Sequence, residues 1–262
     1  MKLFMLLLVP ILSVQAAAQI DNTLPADSDT IGSECTPQET VEASDDNALQ
    51  VQVKGFLDTY HAARTEGRAD WMASRTRARG ELKLKKGAAS LFLSLNATYN
   101  GILKERTGLE LREAYLSYAK GNFDLRVGRQ IVVWGVADAL RVTDCVSPFD
   151  YTEFLAQDYD DIRMPVNGLR AKYTRGSVTL EAVCNPVADF FVLPTDERNP
   201  WAIRLPSAPQ SYTTDLESGK PEKKIKNMEF GGRASVNLSG IDFSVSALRT
   251  WNKLPALCPA LS

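Results

Sequence analysis

From residue 49 to residue 251 apolar and polar residues alternate in run after run, and the connections between runs are short at one set of ends and long at the other. Alternation of period two marks β-strands with two chemically different faces, because successive side chains point to opposite sides. Tight turns at one end and long loops at the other fit an all-β, antiparallel up-and-down transmembrane β-barrel, apolar toward lipid and polar toward an aqueous lumen.

The first run, 49–62, sets Leu49, Val51, Val53 and Leu57 against Gln50, Gln52, Lys54 and Asp58. The second, 71–85, sets Thr76, Ala78, Leu82 and Leu84 against Arg75, Arg77, Arg79, Glu81, Lys83 and Lys85. Runs at 89–100, 109–119, 123–133, 168–175, 177–185, 229–238 and 241–251 repeat the pattern, and a slip near Glu113-Ala114 predicts a β-bulge. Tight turns fall at Lys86-Gly87, 120–122, Arg175-Gly176 and Ser239-Gly240, and long connections at 135–165 and 186–227. That makes about nine strands, whereas a bacterial single-chain barrel takes an even number so that no edge lies unpaired in lipid. The expectation is therefore a partial barrel over 49–251, truncated from a longer chain or completed as a homo-oligomer, with a tail at 252–262 that lacks strand character.

The one long apolar stretch opens the chain: Lys2, an apolar run over 3–14, then Ala16-Ala17-Ala18. This reads as a cleaved signal peptide over 1–18, too short to span a bilayer as a helix. Residues 19–48, with Asp27, Asp29, Glu34, Glu39, Glu42, Asp45 and Asp46, read as an acidic, disordered periplasmic leader. The expected location is the bacterial outer membrane, and the expected partners are its lipid, the barrel-assembly machinery and small solutes. A formal charge of -2 gives no footprint for nucleic acid. Cys35, Cys145, Cys184 and Cys258 lack C-x-x-C spacing, and disulfide pairing stays open. With a single histidine, His61, and no G-x-S-x-G, H-E-x-x-H or phosphate-binding glycine loop, no enzyme, cofactor or metal is expected.

On 71–85 like charges recur about every 7 Å along one face. An arginine or lysine facing lipid at the midplane costs about 2–4 kcal/mol, so Arg75, Arg77, Arg79 and Lys83 are expected to line the lumen, with Arg126, Arg170, Lys172 and Arg233. Two readings stand: a cationic wall that favours anions, or a salt-bridge lattice with Asp58, Glu81, Glu113, Asp124, Glu181 and Glu229. Arg129 has outward parity, read either as interfacial or as paired with Asp138 or Asp144. Trp134 is placed with Tyr60, Trp71, Tyr99 and Trp251 in an interfacial girdle, with a ligand platform as the alternative. Asp150-Tyr151-Thr152-Glu153 has capping-box form and predicts a short helix over 152–159 that folds into the pore. Asp158, Asp160 and Asp161 lack calcium-loop spacing and are expected to be a solvated acidic surface.

The stretch Val127-Gly128-Arg129-Gln130-Ile131-Val132-Val133-Trp134-Gly135, followed by Ser147-Pro148-Phe149-Asp150-Tyr151, resembles the G-R-Q-x-x-x-W-G strand and N-P-x-D-like loop of a family of largely uncharacterised Gram-negative outer-membrane barrels grouped as a domain of unknown function. Leu180-Glu181-Ala182-Val183, Pro186 and Asn199-Pro200-Trp201-Ala202 are similar to that family's next strand and loop, so the resemblance covers roughly 53–251. Cys184 and Asn185 depart from it, standing where bulkier apolar residues are expected. The resemblance implies an outer-membrane, porin-like shape, marks Arg129, Gln130, Trp134 and Asp150 as motif positions, and implies no settled substrate. The function expected is passive admission of small solutes. The competing readings are a soluble secreted β-sandwich that binds carbohydrate or protein, with both apolar faces in one core, and a non-conducting structural or adhesion barrel.

Overall fold

The computed structural model describes residues 3–7, 48–65, 70–134, 144–158, 160–203, 219–238 and 241–254. Its strands are β1 (Leu3–Leu7), β2 (Gln50–Ala63), β3 (Trp71–Lys86), β4 (Ala89–Asn100), β5 (Gly108–Lys120), β6 (Phe123–Gln130), β7 (Val166–Arg175), β8 (Val178–Asn185), β9 (Glu229–Leu238) and β10 (Ile241–Thr250). From β2 to β10 each strand pairs antiparallel with the next, so nine consecutive strands form one up-and-down meander. Five residues of the expected signal segment, β1, pair along the outer edge of β10 and supply partners to an edge whose backbone groups lack them. The sheet is open, with β1 and β2 at its edges. Helical structure among the described residues is confined to three 3₁₀ turns.

Three of the four expected tight turns are two-residue loops that open on glycine: Gly87, Gly121 and Gly176, with φ of 56°, 59° and 56°. A positive φ at the first loop position is the type II′ pattern, whose twist matches that of the flanking strands. The fourth turn, Ser239-Gly240, lies outside the described residues, but Ile241 stands opposite Leu238 across it. The predicted bulge is present between β4 and β5: Ser94 faces Glu113 while Leu95 faces Leu111, so Arg112 is the extra residue.

These registers sort side chains onto two faces. One apolar row runs across the sheet through Leu84, Leu91, Leu116, Val127, Leu169, Cys184 and Phe230. The apolar face is bare: Val53 and Leu57 are each 74% exposed, Leu116 63% and Phe123 65%. The opposite face carries the charged ladder, and the half of it nearest the long connections that follow β6 and β8 is buried beneath them. Large apolar side chains are thus exposed on one face, while several arginines on the other are covered.

In one place the strand is shorter than its pattern. β6 ends at Gln130, whereas alternation continues through Ile131 and Val133. Residues 131–134 leave the sheet and lie on the polar face, where side chains satisfy their amides in place of a strand partner. Ile131 N donates to Glu113 (2.8 Å), Val132 N to Ser147 Oγ (2.9 Å) and Trp134 N to Asp144 (3.3 Å).

Just before this departure Gly128 holds φ at 133°, and a Cβ there would lie 2.4 Å from the carbonyl oxygen of Ala114. Gly128→Ala therefore meets both backbone strain of about 1–3 kcal/mol and a backbone clash. The expected result is a loss of at least that size in the free energy of denaturant unfolding. An unchanged midpoint contradicts the register given for β5 and β6.

Candidate functional site

The site is the polar face of the sheet and the segment 144–163 folded over it. On β3 the side chains of Arg75, Arg77 and Arg79 share one face with Asn100, Thr98 and Asn96 of β4 and with Tyr60, Asp58 and Phe56 of β2. Arg77 and Arg79 stack their guanidinium carbons 5.2 and 5.1 Å from the Phe56 ring centroid. A cation over an aromatic face is favoured by the ring quadrupole, and here it fixes where both forks point.

The folded segment supplies their carboxylates. Asp161 accepts from Arg77 at 2.8 Å through one oxygen and from Arg79 at 2.7 Å through the other, and Arg112 Nη2 stands 3.6 Å away. Arg112 also donates to the carbonyls of Asp160 (3.0 Å) and Asp161 (3.2 Å). Arg77 grips Asp58 through two parallel bonds of 3.1 and 2.8 Å, and Arg79 Nε donates to Asn96 at 2.8 Å. Glu153 takes Arg75 and Asn100 in a pair that is buried on both sides. Bidentate and charge-assisted contacts of this kind are the strong class of hydrogen bond.

A second group of contacts surrounds Trp134, which is 2% exposed and packs with Val132, Val146, Val166, Val183 and Leu248. Its indole N–H donates to Glu181 at 2.8 Å, and its carbonyl accepts from Arg233 at 2.8 Å. Glu181 also accepts from Arg170 at 2.8 Å. Arg163 donates to Asp144 at 2.8 Å and pairs with Asp160, so the segment 144–163 is tied to itself as well as to the sheet.

Each expected site residue now has a place. Arg75, Arg77, Arg79, Arg126, Arg170 and Arg233 share the polar face, and the register puts Lys172 between Asp124 and Glu181. Arg126 lies 3.5 Å from Asp124 and 5.3 Å from the centroid of Tyr115. Lys83 shares the parity of the β3 arginines but is exposed, beyond the reach of the folded segment. Arg75, Arg77 and Arg79 are each paired with a carboxylate, and much of that negative charge comes from the loop residues Glu153 and Asp161. Gln130 is buried, and its amide donates to Gly168 O at 3.1 Å. Asp150 accepts from Arg106 at 2.6 Å and from the backbone N–H of Thr152 at 2.9 Å.

Several expectations are corrected. Trp134 is not a girdle residue, because the chain turns inward after Gln130 and carries the indole onto the polar face. Arg129 does keep outward parity, but its Nε donates to Leu111 O at 2.9 Å, beside the bulge. Asp144 belongs to Arg163, and Asp138 lies outside the described residues. The helix expected over 152–159 is only a 3₁₀ turn, Phe154–Ala156. The capping box fails because Glu153 pairs with Arg75 instead of accepting from the Asp150 N–H, which donates to Ile162 O, and the adjoining Phe154 takes a left-handed φ of 35°. Asp161 faces arginines rather than water.

Burial raises the pKa of Asp161, but the hydrogen bonds and charges of Arg77 and Arg79 outweigh it and hold the carboxyl below the ordinary value. A depressed carboxyl pKa contributes stability above the unfolded value that is lost as pH falls through the folded one. Seating of the segment is thus expected to persist through neutral and mildly acidic pH and to fail only in strong acid. A carbon NMR titration of the Asp161 carboxyl checks this, and a midpoint at or above the ordinary aspartate value contradicts it.

No curated protein matches this chain. A family model does match, over residues 12–260, a span that takes in every strand from β2 to β10, the arginine ladder and the folded segment, and the chain therefore belongs to the family described as "Protein of unknown function (DUF1302)".

Proposed function

We propose that the chain forms the wall of an outer-membrane, porin-like β-barrel that admits small solutes by diffusion, with the segment 144–163 as its constriction. The observation that carries this reading is the bare apolar face. Burying a leucine, valine or phenylalanine side chain is worth about 1.5–3 kcal/mol, so rows such as Leu84 to Phe230 favour a hydrocarbon environment over water. In a barrel wall that environment is lipid, and the alternate residues face a polar interior. A secreted sandwich buries such rows against a second sheet, whereas Val53, Leu57, Leu116 and Phe123 stay exposed. The paired ladder narrows the pathway at its outer half, while Lys83 and Lys85 leave positive charge exposed along the inner half of β3.

Expressed with its leader in a Gram-negative host, the protein is expected to sediment with outer membranes and to resist carbonate extraction. The purified protein is then expected to give discrete conductance steps in planar bilayers. Recovery in the soluble periplasm removes the membrane reading. Membrane retention with no conductance removes the pore and leaves a structural or adhesion barrel.

A further inference from the structure

The Asp161 carboxylate sits in a setting with the geometry of a ligand site. Its two oxygens are taken separately, one by Arg77 at 2.8 Å and the other by Arg79 at 2.7 Å, with Arg112 at 3.6 Å beside the second. That arrangement fits a planar two-oxygen anion. Among the described residues the other carboxylate in ion-pair contact with these guanidiniums is Asp58, while Glu110 and Glu113 act on Arg112 at longer range. The ladder also holds an unused donor: Arg75 is 7% exposed, and its Nε is buried without an acceptor. Asp161 arrives on a connection rather than a strand: Arg163 and backbone hydrogen bonds such as Asp150 N to Ile162 O and Met164 N to Pro148 O tie that connection to itself, Glu153 with Arg75 and Asn100 holds its first part to the sheet, and the part around Asp161 meets the sheet through Arg77, Arg79 and Arg112.

We infer that Arg77, Arg79 and Arg112 form a carboxylate-binding site whose resident ligand is the chain's own Asp161, and that solutes bearing a free carboxylate compete with Asp161 and lift residues 160–164 from the polar face while Glu153 stays paired with Arg75. The inference deepens the proposed solute pathway and rests on it for its biological purpose, but the binding itself does not require conduction. The same contacts then serve as selector and gate. A neutral solute gains no ion pair from the guanidiniums, cannot outcompete the Asp161 carboxylate and leaves the segment seated, since a ligand shifts an equilibrium only through its differential affinity for the two states.

The test uses the full folded chain in lipid vesicles, with succinate as probe and with succinamide, phosphate and sodium chloride at matched ionic strength as controls. Amide hydrogen exchange in 160–164 is expected to quicken at least about threefold with succinate and to stay unchanged with the controls. A resident ligand that occupies its site nine-tenths of the time weakens an outside competitor about tenfold. Calorimetry is therefore expected to show Asp161→Asn binding succinate about tenfold more tightly than the parent protein, and Arg79→Gln added to it abolishing the gain. Equal exchange in succinate and chloride overturns the inference, and it decides the matter alone if Asp161→Asn does not fold. An equal response to phosphate overturns the assignment to carboxylates. Succinate-dependent exchange in a chain that does not conduct removes the pore and keeps the site, whereas conduction without that exchange removes the site alone.

Discussion

Leu95→Arg is expected to destabilise the membrane-inserted protein by about 2–4 kcal/mol, the range for an arginine on the lipid face near the bilayer midplane. Leu95 lies midway along β4, opposite Gly80 and Leu111, and is 43% exposed on the apolar face. Room for the side chain is therefore not at issue, and the effect isolates the surroundings of that face. In a water-soluble protein the same change at so exposed a position falls within about 0.5 kcal/mol of neutral. Asn237→Arg is the control, because Asn237 is exposed on the polar face opposite Asp242 and a new cation there meets water and a carboxylate. Denaturant unfolding from lipid vesicles reads both. A near-neutral Leu95→Arg with an unaltered fold defeats the lipid-facing assignment.

Trp134→Ala is expected to cost about 3–5 kcal/mol, the usual loss when a buried tryptophan is truncated. The indole is the centre of the apolar cluster on the polar face, and its N–H satisfies Glu181. Trp134→Phe separates the two contributions. It keeps most of the packing and loses a hydrogen bond to a charged partner, worth about 1.5–3 kcal/mol. Under the proposed function, Trp134→Ala also widens the pathway, because the residues it anchors lie across the polar face, and single-channel conductance is expected to rise. A girdle tryptophan gives a smaller loss of stability and no change in conductance, so the pair of readouts discriminates between the two placements.

The strands and their faces were legible in the sequence because a strand writes its environment at every second residue. Leu91, Leu93 and Leu95 against Ser90, Ser94 and Asn96 already state which side is apolar, and the glycines at 87, 121 and 176 mark where the chain reverses. The bulge was legible as a slip in parity. Its consequence was not, because a bulged residue has no parity, and Arg112 was therefore missed as a ligand of the Asp161 segment. Trp134 was misplaced for a related reason: Ile131 and Val133 continue the period of β6, and alternation does not record that the backbone has left its neighbour for the side chains of Glu113, Ser147 and Asp144.

The acidic residues of the long connection show the limit most clearly. Asp158, Asp160 and Asp161 look alike in sequence, as three carboxylates among polar neighbours. In the fold, Asp160 pairs with Arg163 and Asp161 seals the arginine ladder. Local pattern determines element type, face and turn, since these depend on residues within a few positions of one another. Which carboxylate meets which guanidinium depends on contacts between residues some 80 positions apart, as with Arg79 and Asp161, and only the path of the loop across the sheet decided it.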